Sequence, residues 1–396
     1  MNLADLLAQP ANPTPHKRTH PKGWEPSLEQ RGDTATGITE ALPDGANPDE
    51  RDIIAGWNLD PDEWQIVGDV HVRRWQQTPD GDWLRYFRCD LRRRTSGDRP
   101  DVDLLVKAAE RLRLPKVPTV IDGDGPALVV SLNDWQIGKG EGGGTTATVD
   151  RILAAFAGVK AQLKELERLK LRPSRVILAN TGDLIEKVAG HYPSQAFTVD
   201  LNEREQLRVA RRLLFRILCE LTDMGYPVTG TACPCNHGEN RNGNGKAQTT
   251  VDDNASLTIL ENVEESCAAN PDRFQHVDFA YAPDLCLVMP VNGVNLGMTH
   301  GHQVRGSGGT AAALEKWWSG QVMGRQAVAD ADILMTAHRH HFQVSEETGR
   351  TVMLAPAIDG GSYWFTSTTG KSSPPGMLTV LVDERYPRGW DRMVIV

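Results

Sequence analysis

The chain is expected to fold as an α/β or α/β/α sandwich, on three observations. Ala127–Leu132 is a continuous apolar run, the pattern of a strand buried on both faces. Beyond it, strand-like runs alternate with amphipathic helical stretches. The last third is rich in short β-like segments. At 396 residues there is chain for two or three domains and a sizeable core. Its 39% hydrophobic and 24% charged residues exclude collagen, coiled coil and general disorder.

Residues 1–45, rich in Pro, Gly, Asp and Thr without an apolar period, read as a flexible arm. Residues 46–120 read as a small α+β accessory module. It would hold a short helix within Asp49–Leu59, then strands Trp64–Val72 and Trp83–Leu91 joined at Pro79-Asp80-Gly81-Asp82. Pro115, Pro118 and the stretch from Asp122 to Pro126 suggest a linker into the main domain, residues 121–396. There, Thr148–Lys170 spaces Ile152, Phe156, Val159, Leu163 and Leu166 as a helix does. Arg175–Ala179 and Val228–Thr231 read as strands, with Glu203–Asp223 a helix between them. Further strands are expected at Leu285–Met289, Val294–Met298, Ile333–Thr336, Val352–Leu354, Leu378–Val382 and Met393–Val396. A helix near Gly309–Ala329 interrupts them.

Six scattered cysteines form no paired C-x-x-C framework, and a large core needs no disulfide staple, so reduced thiols are expected. No apolar run approaches the ~20 residues that cross a bilayer, and the start Met1-Asn2-Leu3-Ala4-Asp5 is unlike a signal peptide. A cytoplasmic protein without membrane attachment is the expectation. The net charge of −9 argues against coating duplex DNA over the whole surface, though not against a local basic patch.

The residues just beyond the strands are more informative. Asn133-Asp134-Trp135-Gln136, Asn180-Thr181-Gly182-Asp183, Cys235-Asn236-His237-Gly238-Glu239, Thr299-His300-Gly301-His302 and Ala337-His338-Arg339-His340-His341 each come just after an apolar run. In open α/β sheets, sites form at the carboxyl ends of strands. Carboxylates, imidazoles and an amide oxygen gathered there suit a borderline divalent ion such as Mn²⁺, Fe²⁺ or Zn²⁺.

The ordered set Asp-x-Gln, Gly-Asp, Asn-His-Gly-Glu, His-Gly-His and His-x-His resembles the calcineurin-like metallophosphoesterase superfamily over about residues 126–345. Asp134-Trp135-Gln136-Ile137-Gly138-Lys139 and Asn236-His237-Gly238-Glu239-Asn240-Arg241 look like phage and actinobacterial members of the SbcD exonuclease type. The resemblance implies a calcineurin-like α/β/β/α sandwich and a hydrolase of phosphate esters. It implies two divalent ions, Mn²⁺ first and Mg²⁺, Fe²⁺ or Zn²⁺ as alternatives. Asp134 and His340, with Gln136, would hold one ion; Asp183 would bridge; Asn236, His300 and His338 would hold the other. A hydroxide between the ions would attack phosphorus in line, with Asp183 and His237 as the catalytic residues and His237 serving the leaving oxygen. A second copy or an ATPase subunit would be the expected protein partner.

Two departures stand out. Gln136 replaces the usual metal-binding His, and an amide oxygen is a harder, weaker ligand that favours Mn²⁺ or Mg²⁺. Pro234-Cys235 precedes Asn236 where Gly is usual, so a side chain must fit at that turn. Glu186 and Glu239 are read either as partners of the ligands or as surface carboxylates. His302 is read as a phosphate contact or an exposed residue, and His191 as a site residue or a solvated loop histidine. Arg241, Arg305 and Arg339 are candidate phosphate clamps. The glycine-rich runs 138–146 and 305–310 fit no P-loop pattern and read as rim loops.

The substrate clue lies in the accessory module. Arg73, Arg74, Arg85, Arg88, Arg92, Arg93 and Arg94 interleave with Trp75, Trp83, Tyr86 and Phe87. Cations with flat faces suit nucleic acid, whereas a hairpin burying its aromatics would leave the same arginines merely solvated. Three functions are consistent with these features: a metal-dependent DNA nuclease of phage replication, recombination or repair; a phosphatase or phosphodiesterase of small nucleotides or phosphoproteins; and a catalytically degenerate DNA-binding scaffold.

Overall fold

A computed structural model describes residues 24–396 apart from 33, 78–80, 94–100, 111–116, 118, 121–122, 193–194, 243–244, 307–308 and 371. The chain divides into two compact units between Gly97 and Asp98. Residues 1–23 of the expected arm lie outside the described residues, as do Pro79 and Asp80 of the expected turn, Arg94, and Pro115, Pro118 and Asp122 of the expected linker.

In the first unit, β1 (Ser27–Arg31), β2 (Thr34–Ile38), β3 (Leu42–Pro43), β4 (Trp64–Gln76) and β5 (Trp83–Arg93) form one antiparallel sheet. β5 is its spine, pairing with β2, β3 and β4. Helix α1 (Glu50–Ala55) starts at a capping box in which Asp49 and Asp52 exchange side-chain and backbone bonds. Ile54, Trp64, Leu91 and Ala35 make a small core with Leu28 and Trp57 against it. This corrects the arm reading for residues 27–43. Their few apolar side chains, Leu28, Ala35 and Leu42, are enough to complete a sheet whose other strands carry the bulk of the core.

The second unit contains α2 (Val102–Glu110), β6 (Ala127–Asn133), α3 (Gly144–Arg168), β7 (Arg175–Gly182), α4 (Gln195–Thr198), α5 (Glu203–Asp223), β8 (Val228–Ala232), α6 (Ala255–Ala268), α7 (Pro271–Phe274) and β9 (Val277–Tyr281). Next in order are β10 (Cys286–Val291), β11 (Val294–Thr299), α8 (Thr310–Met323), β12 (Ile333–Thr336), β13 (Gln343–Glu347), β14 (Arg350–Leu354), α9 (Tyr363–Thr369), β15 (Leu378–Val382) and β16 (Trp390–Ile395). One sheet has the order β16-β15-β6-β7-β8-β9, with β6 to β9 parallel. The other has the order β10-β11-β12-β14-β13.

Both faces of β6 are buried, which is why its sequence is a continuous apolar run rather than an alternation. Val129 faces the second sheet, in a cluster with Ile177, Val380, Met298, Ile333 and Met353. Leu128, Val130 and Leu132 face the helices, packing with Phe156, Leu163, Leu213 and Ile217. The far side of the second sheet is covered by Leu314 and Trp318 of α8. The layers run helix, sheet, sheet, helix, so the fold is an α/β/β/α sandwich.

Two boundaries differ from the sequence reading. Residues 102–110, assigned to the accessory module, form a helix of the second unit. Leu105 joins its helix-side core, and Asp103 accepts from Arg208 at 3.1 Å. The helix expected to reach Ala329 stops at Met323, with Gly324 as its C-cap, and resumes as a 3₁₀ turn over Ala327–Asp330.

One polar clamp fastens the two sheets to each other. Asn292, in the β10–β11 turn, donates from Nδ2 to the Gly125 carbonyl (2.9 Å) and to Asp383 (3.3 Å). Asp383 also accepts from the Arg385 backbone and guanidinium at 2.7–2.9 Å, which hold its carboxyl down to about 2. Asp383→Ala is expected to cost about 2–3 kcal/mol at pH 7, the worth of buried charge-assisted hydrogen bonds. Because the folded value of about 2 lies below the unfolded one of about 3.9, the contribution is present above that range and lost as pH falls through the folded value. Denaturant unfolding of wild type and variant at pH 7 and pH 3 should therefore show a narrowing gap.

Candidate metal centre

The five polar clusters do meet. Just past β6 and β7 the chain turns through left-handed backbone at Asp134 (φ 48°), Gln136 (φ 45°) and Asp183 (φ 54°). The turn after β12 repeats this at His338 (φ 71°) and His340 (φ 55°). These are five of the twelve non-glycine residues with positive φ among the described residues. Such backbone costs about 1–2 kcal/mol per residue, and its concentration here marks a built site.

Asp183, His300 and His338 offer ligand atoms that all lie within 4.8 Å of one another. His300 is fully buried. Its Nδ1 is set against the Thr181 carbonyl oxygen (2.9 Å). Its Nε2 lies 3.0 Å from Asp183 Oδ2 and 2.8 Å from Asn236 Oδ1. A carbonyl on one ring nitrogen is the arrangement that turns the other toward a metal. Burial would raise the Asp183 carboxyl, but the charges of His300 and His237 outweigh it and hold it well below the usual range. His338 is pushed down to about 3 by burial and by His300, leaving the neutral imidazole a cation needs.

The second group is Asp134, Gln136 and His340. Asp134 Oδ2 accepts from the His338 backbone (3.1 Å) and from Asn133 Nδ2 (2.9 Å). Its Oδ1 is buried without a hydrogen-bond partner, 3.4 Å from His340 Nε2. An orphaned carboxylate oxygen beside an imidazole nitrogen fits a cation. His340 Nδ1 lies 3.3 Å from Asp359 Oδ1, again fixing the ring from behind. Asp359 and its ion-pair partner Lys139 belong to the site, although the sequence reading passed over Asp359.

His237 completes the constellation. Its backbone N–H donates to Asp183 Oδ1 (3.0 Å), and its Nδ1 meets the Glu186 carbonyl oxygen (2.7 Å) with the Glu186 carboxylate 3.5 Å away. His191 stacks on it, centroids 4.1 Å apart and planes within 5°. Burial, then the charge of His237, pushes His191 down to about 3, so it is a neutral site residue rather than a solvated loop histidine. Glu186 is buried too, and burial raises its carboxyl.

The candidate phosphate clamps fare unequally. Arg241 is engaged inside the protein, donating to Glu239 (2.8 Å) and lying 3.1 Å from His191 Nδ1. Glu239 also lies 3.5 Å from His302 Nε2, so it is a partner of site residues and His302 is tied to it. Arg339 is exposed and donates to the Val304 carbonyl (2.9 Å). The glycine-rich run after Gln136 is no phosphate loop. The start of α3 is already taken by the Asp200 carboxylate, which accepts from the Thr145 backbone (2.7 Å) and hydroxyl (2.6 Å). Ser307 and Gly308 of the second glycine-rich run lie outside the described residues.

In the accessory sheet the arginine-aromatic pattern resolves largely into packing. Trp75, Tyr86 and Phe87 are buried, and Trp83 is exposed. Arg74 pairs with Asp44, Arg93 with Glu63, and Arg85 with Asn47. Arg92 is half-buried, whereas Arg73 and Arg88 face solvent.

No family model matches the chain, and no curated protein does. Among solved structures, it is similar to an archaeal phosphodiesterase at 11% identity over 68% of this chain and 99% of that one, with a TM-score of 0.28. Vacuolar protein sorting 29 from Cryptosporidium parvum matches at 14% over 69% and 97%, with a TM-score of 0.29. A hypothetical protein from Pyrococcus horikoshii matches at 11% over 68% and 87%, with a TM-score of 0.33. Likeness at this level carries neither an activity nor a substrate to this chain.

The Cys235 side chain at the turn before Asn236 is housed by two glycines. A Cβ on Gly182 (φ 111°) would lie 2.3 Å from Cys235 Cβ and 3.1 Å from His300 Nδ1; one on Gly238 would lie 2.9 Å from Cys235 Sγ. Gly182→Ala should therefore cost about 3 kcal/mol or more, by forcing Cys235 and the adjacent Asp183 to shift. Adding Cys235→Gly should recover part of the loss, because it removes the clash but not the φ strain. Thermal unfolding of the single and double variants measures both terms.

Proposed function

We propose that the protein is a divalent-metal-dependent phosphodiesterase acting on DNA. The observation that carries the hydrolytic reading is the convergence of Asp183, His300 and His338 from both sheets, with Asn236 against His300. A scaffold needing only the fold would have no reason to bury such a donor set. A divalent ion bound there would lower the pKa of a water and neutralise phosphoryl charge. Asp183 takes the His237 backbone N–H on one oxygen and faces His300 with the other, so it is held in one orientation. His237, donating Nδ1–H to the Glu186 carbonyl, leaves Nε2 free, and as the imidazolium it would give the Nε2 proton to the leaving oxygen. Asp134, turned by His338 and Asn133, keeps Oδ1 for the cation.

The nucleic-acid part of the reading is supported by the rim. Among the described residues five aromatics are exposed: Trp83, Tyr192, Phe197, Phe342 and Tyr363. Four of them belong to segments that come after β7, β12 and β14, the strands that lead into the site. Exposed flat faces on the segments that carry the site residues suit unpaired bases. Arg73 and Arg88 add exposed cations on the accessory sheet. The ion pairs of Arg74 and Arg93, and the net charge of −9, favour a second reading in which the substrate is a small nucleotide phosphodiester.

End-labelled single- and double-stranded DNA incubated with the protein and Mn²⁺ should be cleaved, and EDTA should stop the cleavage. Asp183→Ala should abolish it, and His237→Ala should slow it by about 10²–10⁴-fold. Hydrolysis of bis(p-nitrophenyl) phosphate with intact DNA would select the second reading. An inert wild type on both substrates would end the hydrolytic one.

A further inference from the structure

A buried ion pair beside the centre is not used by the hydrolytic reading. The Lys139 ammonium pairs with Asp359, their side chains 11% and 3% exposed. The same ammonium donates to Gln136 Oε1 at 3.1 Å. An ammonium has donors and no acceptor, so the Gln136 amide must turn its oxygen toward Lys139. Its NH₂ then faces His340 Nε2, 3.4 Å away. Turning the amide over would set NH₂ against NH₃⁺. The oxygen that would serve as a metal ligand is thus committed elsewhere, and what Gln136 presents to His340 is an NH₂ donor, which cannot ligate a cation. Asp359 ties the two sides together, with Oδ2 on Lys139 and Oδ1 3.3 Å from His340 Nδ1.

The two halves of the centre are therefore unequal. Asp183, Asn236, His300 and His338 offer four ligand atoms, while Asp134 and His340 stand beside an amide whose oxygen has turned away to Lys139. We propose that Lys139 sets the metal stoichiometry. By fixing Gln136 as a non-ligand, it leaves the chain with one firmly held divalent ion. This rests on the metal centre of the proposed phosphodiesterase.

The test is a Mn²⁺ titration of the full chain, with free Mn²⁺ tracked by electron paramagnetic resonance. Wild type is expected to bind one ion firmly and a second about 100-fold more weakly. Lys139→Met releases the Gln136 oxygen and should tighten the second ion by about tenfold or more, with the first changed little. The pair Lys139→Met, Asp359→Asn removes both buried charges together and keeps an amide oxygen against His340 Nδ1, so the second ion should still tighten, though by less because an amide steadies the ring more weakly than a carboxylate; this covers the case in which Asp359 left unpaired is not tolerated. Two ions of similar affinity in wild type would overturn the inference and leave the phosphodiesterase reading intact, as would a second ion unmoved in both variants. A folded wild type that binds no Mn²⁺ would overturn both.

Discussion

Two carboxylates, Asp134 and Asp183, are sealed from solvent where the edges of two sheets meet, and the second unit is organised around making that tolerable. An ionised carboxylate without partners in such a place costs several kcal/mol. Much of the compensation comes from distant segments, the His338 backbone for Asp134 and the His237 backbone and His300 for Asp183, and the adjacent Asn133 adds a donor to Asp134. His300 comes just after β11 and His338 after β12, so these two partners arrive from the opposite sheet. Packing one sheet on the other, through Val129, Ile177, Met298 and Met335, is thus also what assembles the centre. The dependence runs both ways, since Asp183 raises His300 while His300 and His237 lower Asp183, each against the effect of burial.

The left-handed turns could not persist as loose loops. The Asp134 backbone N–H donates to the Gly182 carbonyl, Gln136 to Asp183, and Ile137 to Leu184, each at 3.0–3.1 Å. The sheet in effect continues past its last regular residue, with Ile137 bridging Ile185. The backbones of Ile358 and Asp359 donate to the Asp134 carbonyl, drawing the loop after β14 into the same unit. A site zipped together in this way holds its side chains in fixed positions, which is the preorganisation that the proposed chemistry would reward.

The sequence showed most of this wherever local pattern carried the information. The buried strands β6, β12 and β15, the helix Glu203–Asp223 and the polar clusters after the strands were legible because period and turn residues are local. Asp359 comes after the apolar strand β14 just as the other clusters come after theirs, so the same rule reaches it; its run has no His or Asn beside it, and that hid it. The sequence left His191 open between a site residue and a solvated loop histidine. Its place depends on Gln195 accepting its backbone N–H and on Tyr192 reaching Glu186, contacts that only the folded loop defines. The orientation of the Gln136 amide was likewise hidden, because it depends on an ammonium three residues on in sequence and a carboxylate 220 residues away from that ammonium. The arginine-rich hairpin misled in the opposite direction. Composition gives the charges, and carboxylates at the strand ends such as Asp44 and Glu63 decide how many remain available.

That last point bears on how a polyanion would be held. Much of the positive charge near the candidate centre is already spent within the protein: Lys139 on Asp359, Lys187 on Glu203 and Asn240, Arg241 on Glu239. A protein that grips nucleic acid chiefly by releasing counterions presents many uncommitted cations along the path of the backbone. Here, on the proposed reading, the cation at the buried donors would meet the scissile phosphate, and aromatic faces at the rim would meet the bases. Affinity built that way depends on a few groups at one place, and it favours strands whose bases are already unstacked, since stacked bases would leave those faces unfilled. The acidic surface then becomes a means of discrimination, repelling the rest of a long polyanion while the centre engages one phosphodiester.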